Sequence, residues 1–136
     1  MPISLSGAAL DLSPRIAQNA TVVASPAAGS ETIIGSVTVP SGITITSGAL
    51  VICTFGITAG TNGVTLRTRV RNTNVTGTVV GDTGAITVVA TTVYTVTVIG
   101  YDTAAVAGTV EKVTATVGSG SATSTVTPLS IVCIAL

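Results

Sequence analysis

Residues 49–72 read ALVICTFGITAGTNGVTLRTRVRN. Two alternating apolar runs, Ala49–Thr58 and Val64–Asn72, flank Ala59-Gly60-Thr61-Asn62-Gly63. Asn-Gly between such runs is a strong hairpin signal, because both residues tolerate positive φ. The pattern predicts two long strands paired as a hairpin. In the second, Val64, Leu66 and Val70 share a face with Thr68, while Thr65, Arg67, Arg69 and Arg71 share the other. Three of the five basic residues of the chain therefore stand in one row on one strand.

The rest of the chain is nearly uncharged. Charged residues make up 7% of its 136 residues, against about 25% in ordinary domains. The length is that of one domain able to bury a core without staples. Aromatics are 2%, so the core must be built from β-branched aliphatics. Zero net charge and the lack of a basic tail speak against nucleic acid as a partner. Mean hydropathy is +0.79, yet Thr and Gly interrupt every apolar stretch before it nears the roughly 18 residues of a spanning helix. Tyr94, Tyr101 and Phe55 are too few for the aromatic girdles of a membrane barrel. The expectation is no membrane, and a surface largely covered by neighbouring subunits. Met1-Pro2-Ile3-Ser4 has neither the basic nor the apolar stretch of a secretory signal.

Outward from the central stretch, residues 1–28 are punctuated by Pro2, Pro14 and Pro26 and hold Leu5, Leu10, Leu12 and Ile16 without a period. They are expected to form an extended arm, lying on a neighbouring subunit, with one short strand over 20–24. Residues 29–136 are expected to form the folded domain. Glu31–Val39 reads as a strand ended by Pro40-Ser41-Gly42. After Asn72 come a loop, a short strand over 78–80, a turn at Gly81-Asp82-Thr83-Gly84, and strands over 85–90, 93–101 and 110–117. Gly118-Ser119-Gly120-Ser121 reads as a flexible connection. Pro128 limits where the last strand can begin, and Leu129–Leu136 closes the chain with both faces apolar. About eight strands joined by turn signals, with no helical period, predict an all-β antiparallel sandwich of jelly-roll type. An immunoglobulin-like sandwich is second, since the buried Trp of that family is absent.

Three stretches then carry a resemblance: Ile34-Gly35-Ser36-Val37-Thr38-Val39-Pro40-Ser41-Gly42, Ser47-Gly48-Ala49-Leu50, and Thr65-Leu66-Arg67-Thr68-Arg69. Together they resemble a pattern of accessory virion proteins of tailed bacteriophages, over roughly residues 32–72. The resemblance implies a jelly-roll-like fold, a homo-oligomer with a trimer favoured, a location on heads or tails, and no catalytic residues.

Arg67, Arg69 and Arg71 are the sharpest candidate site. Residues two apart on a strand lie about 6.8 Å from one another on one face, so three guanidinium groups in a row need anions. The candidates within the chain are Asp11, Glu31, Asp82, Asp102 and Glu111. Three readings compete: an interface in which some carboxylates come from another subunit, a solvated face, and a sugar-acid or phosphate site. The interface is preferred because charge is avoided elsewhere. With no His and one Lys, a nucleophilic triad cannot be assembled from the usual parts. Asp82 and Asp102 read as solvated turn residues rather than a glycosidase pair. One carboxylate at Gly-Asp-Thr-Gly is too few for a calcium cage. Cys53 and Cys133 read as buried free thiols. No metal or cofactor is expected. These readings favour a non-enzymatic virion structural protein, a capsid decoration or cement protein bound to itself and to the major capsid protein or other virion proteins. A tail-tip or fibre domain binding host carbohydrate and a cell-surface adhesion module are the alternatives.

Overall fold

The computed structural model describes residues 13–60, 64–118 and 124–136. A single 3₁₀ turn at Ser13–Arg15 leads into eight strands. They are β1 (Ile16–Asn19), β2 (Glu31–Thr38), β3 (Ala49–Thr58), β4 (Val64–Asn72), β5 (Val79–Val88), β6 (Val93–Asp102), β7 (Val110–Val117) and β8 (Thr125–Ala135). They form two four-stranded sheets, β1-β8-β3-β6 and β2-β7-β4-β5. Every pairing between these strands is antiparallel, and β1 pairs with β8, β2 with β7, β3 with β6 and β4 with β5. The chain is thus one long hairpin, bent at the β4–β5 loop and rolled so that β8 also meets β3 and β7 also meets β4. That is the jelly-roll arrangement the strand count predicts.

Alternation decides which residues enter the core. Val51, Cys53, Phe55 and Ile57 of β3 face Val113, Ala115 and Val117 of β7 and Leu66 and Val70 of β4, all nearly inaccessible to solvent. The core is aliphatic, with Phe55 its one aromatic ring among the fully buried side chains. Both cysteines are buried free thiols on neighbouring strands. Burial pushes Cys53 up to about 12, and Cys133 up to about 11 with the Glu111 charge adding to it.

The boundaries of β3, β4 and β7 match the alternation residue for residue, but the pairing of β3 with β4 does not. Both edges of β3 are taken, by β6 and β8, and β4 lies in the other sheet. Alternation fixes which face of a strand is buried, not which strand lies beside it. The five-residue link between them joins one sheet to the other, and its Asn62-Gly63 lies outside the described residues, as does Ser119-Gly120-Ser121.

Three further expectations change. Residues 1–12 of the arm lie outside the described residues, and its short strand is at Ile16–Asn19 rather than 20–24. This strand pairs with β8 of its own sandwich, from Ile16 opposite Ile134 to Asn19 opposite Ile131. The apolar residues there cover this chain's own sheet edge. Pro128 does not delay β8. The ladder steps from Phe55–Leu129 to Ile57–Val126, leaving one extra residue on β8. Proline lacks the N–H for an unbroken ladder, and a bulge is where a strand accepts it. Gly56 permits the bulge, because a Cβ there would collide with the Thr127 carbonyl oxygen.

The third change is at Gly81–Gly84, which is not a turn but part of β5. Arg67 pairs with Ala85 and Arg69 with Asp82, so β5 carries an extra residue. Gly84 adopts φ +72°, a conformation open to glycine. The Thr83 hydroxyl receives the Thr68 N–H at 3.0 Å, replacing a missing ladder bond. Gly and Asp favour turns and bulges alike, so their presence alone does not separate the two.

Candidate functional site

The outer face of the β2-β7-β4-β5 sheet holds the arginine row. Leu66, Thr68 and Val70 of β4 are buried, which turns Arg67, Arg69 and Arg71 outward as the alternation predicts. The bulge in β5 brings Asp82 to the same face, and Glu31 reaches in from β2.

Two carboxylates hold the three guanidinium groups. Arg67 Nη2 lies 2.6 Å from Asp82 Oδ2, and its Nε donates to both oxygens at 2.9 Å. Arg69 bridges the carboxylates: Nε donates to Asp82 Oδ2 at 3.1 Å and Nη1 to Glu31 Oε2 at 3.0 Å. Arg71 grips Glu31 with two nitrogens, Nε to Oε1 at 2.6 Å and Nη2 to Oε2 at 2.9 Å. Its Nη1 also donates to the Gly77 carbonyl at 2.7 Å. The Thr114 hydroxyl donates to Glu31 from β7. The network therefore ties β2, β7, β4, β5 and the β4–β5 loop across one sheet face.

The titration shifts follow from those contacts. Burial alone would raise Glu31, but the Arg71 and Thr114 hydrogen bonds and the charges of Arg71 and Arg69 leave it below its ordinary value. The Arg67 hydrogen bond outweighs burial at Asp82, and the Gly84 N–H and Arg69 lower it further. Exposure falls along the row, from 45% for the Arg67 side chain to 13% for Arg71. Lys112 stands opposite Arg71 on β7. Four cations meet two carboxylates, so this face keeps a positive surplus.

Both aspartates expected in solvated turns are placed otherwise. Asp82 is in the network just described. Asp102 ends β6, is 4% exposed, and receives Asn72 Nδ2 and the Ala104 N–H. Beside it lies Glu111, fully buried, with no donor to either carboxyl oxygen among the described residues. Burial and the adjacent Asp102 carboxyl push Glu111 up to about 8. The alternation that turns Val113, Ala115 and Val117 inward turns Glu111 inward too, so the sequence carried that signal. No group of three or more His, Cys, Asp or Glu able to hold a metal occurs among the described residues.

No family model matches the sequence, and no curated protein matches it either. Among solved structures, it is similar to a chain in the structure of the infectious bursal disease virus Gx strain, with a TM-score of 0.58 and 16% identity. The match covers 89% of this chain and 32% of that one, so this chain spans about a third of its length. At that identity the likeness establishes a shared fold.

Proposed function

We propose that this protein is a non-enzymatic structural subunit of a virion: a decoration or cement protein on the head of a tailed bacteriophage, bound to itself and to the major capsid protein. The observation that carries the reading is the eight-strand jelly roll, in a fold shared with a chain of a virus structure. The partition of charge supports it. One sheet face holds the arginine network, and the strands of the other sheet carry one charged residue, Asp102, which points inward, as suits a subunit with neighbours on several sides. The copy number implied by the phage resemblance is three. Arg67, Arg69 and Arg71 are proposed to lie at an interface, where Arg67, the most exposed of them, offers the surplus positive charge to a carboxylate of another virion subunit.

The test is to add purified protein to intact heads that lack it, and to follow co-sedimentation and resistance of the heads to heat. Saturable binding that raises the temperature of head rupture is the expected result. Binding to host cells with none to heads would overturn the reading.

A further inference from the structure

We propose that the outer face of the β1-β8-β3-β6 sheet is a twofold contact, on which a second copy of this chain docks the same face. The inference rests on the self-association proposed above and adds a surface and its symmetry; a twofold joins copies in pairs, in place of the three that the phage resemblance implies.

The face has three zones. At one end, Ile134, Leu50 and Tyr101 lie side by side across β8, β3 and β6, and Val132, Ile52 and Ile99 form the next row. Ile99 is 58% exposed and Tyr101 44%. The middle row is Ser130, Thr54 and Thr97. At the far end, above the Gly56 and Pro128 bulge, lies a cleft of about 220 Å³ lined by Phe55, Thr95, Leu129 and Val93. Val93, on its rim, is 65% exposed.

This face can lose water at little cost. The only charged residue of its four strands is Asp102, which points inward. Three of its hydroxyls are already partnered: Thr54 and Thr97 bond each other at 3.1 Å, and Tyr101 donates to the Ser47 carbonyl, while Ser130, Thr95 and Gln18 remain exposed. Desolvating a polar group is cheap when its hydrogen bond is retained.

Charge selects the occupant. Docking on the arginine sheet of another copy would strip water from four cations and two carboxylates, whereas docking on the same face strips it from none. The spacing supplies the fit. Val93, Thr95, Thr97, Ile99 and Tyr101 all point outward from β6. A twofold axis through Thr97 sets Ile99 of one copy over Thr95 of the other, and Tyr101 over Val93. The projecting apolar end of each copy then fills the cleft end of its partner, as an isologous contact requires. Five residues of alternating spacing by four strands give a face that buries about 1,000 Å² over both copies, the lower bound for a specific interface.

The test uses the full chain carrying Thr97→Cys, treated with a short bismaleimide. Facing sheets stand about 10 Å apart, beyond the Cα reach of a direct disulfide. Cys53 and Cys133 are buried, so the unsubstituted protein is the control. The expected result is a cross-linked pair with Thr97→Cys only. Adding Ile99→Asp abolishes the cross-link and halves the mass read by light scattering, while the protein still unfolds in one cooperative transition whose midpoint no longer depends on concentration. Val93→Asp gives the same result at the other end of the contact. An oligomer that survives both aspartates, and whose Thr97→Cys form does not cross-link, overturns this surface and leaves self-association standing. A monomer at every concentration overturns both.

Discussion

Asp82 stands directly opposite Arg69 in the β4–β5 ladder, yet its shortest bond is to Arg67, one outward-facing position away. The bulge at Gly84 produces this offset, because the extra residue slides the carboxylate between two guanidinium groups. Arg69 is thereby freed to bridge to Glu31.

The arginines are accordingly unequal. Arg71 is the least exposed, makes two bonds to Glu31, and holds the β4–β5 loop through the Gly77 carbonyl. Arg71→Ala leaves both acceptors short of a donor and is expected to cost on the order of 1–3 kcal/mol. Arg67→Ala removes a more exposed group, and Asp82 keeps its bonds from Arg69 and the Gly84 N–H. Its effect on the isolated protein is expected to be smaller. Urea titrations of the two variants check this order, and equal losses would contradict it.

The same network predicts a loss of stability in acid. Glu31 and Asp82 are both held below their ordinary values. Their stabilising effect is complete above about pH 4, the unfolded-state value of such carboxylates, and disappears as pH falls through the lower native values. Melting temperature should therefore drop between about pH 4 and 2. The double variant Glu31→Gln, Asp82→Asn should start lower and fall less. Parallel curves for the two proteins would show that the carboxylates are not responsible.

Much of this was legible in the residues themselves. Val51, Cys53, Phe55 and Ile57 fix the ends and the buried face of β3, as Val113, Ala115 and Val117 do for β7. The row of Arg67, Arg69 and Arg71 follows from the same rule. Neighbour identity is a different kind of fact, set by how the whole chain packs, and so the hairpin signal beside β3 points to β4 where the fold pairs β3 with β6 and β8. Gly-Asp-Thr-Gly misled because turns and bulges ask for the same residues. Glu111 could have been found, since its parity with Val113 places it in the core. A lone Glu in a strand otherwise suggests solvent.

Truncation separates the described strand β1 from the residues ahead of it. β1 covers the β8 edge from Ile131 to Ile134, and Arg15 donates to the Ala135 carbonyl. Removing residues 1–19 exposes that edge, an invitation to strand-to-strand aggregation. The expected result is a lower melting temperature and aggregation on warming. Removing residues 1–12 alone keeps β1 and its ladder with β8, and serves as the comparison. A large loss from the shorter deletion would show that the first twelve residues belong to the core.

The last prediction concerns Glu111. Its carboxyl keeps a proton to about 8 in the folded protein, whereas the ordinary value is 4.5. Between those values the folded state binds more protons than the unfolded one, so stability falls as pH rises and levels off above 8. The groups facing it are Asp102, whose carboxyl disfavours a second negative charge, and Cys133, itself raised in part by Glu111. Glu111→Gln keeps the shape, cannot ionise, and supplies an amide that can donate to Asp102. It should therefore gain stability relative to the parent at pH 9, by up to about 5 kcal/mol, given about 1.4 kcal/mol per pK unit. At pH 5, where the native carboxyl is neutral, the two proteins should differ little. Together with the acid loss from Glu31 and Asp82, this places the stability maximum of the parent near about pH 4–5. Denaturant titrations of both proteins at pH 5, 7 and 9 provide the check. A Gln variant no more stable than the parent at pH 9 would mean that Glu111 ionises without penalty, and that water or a cation reaches the buried end of the sandwich.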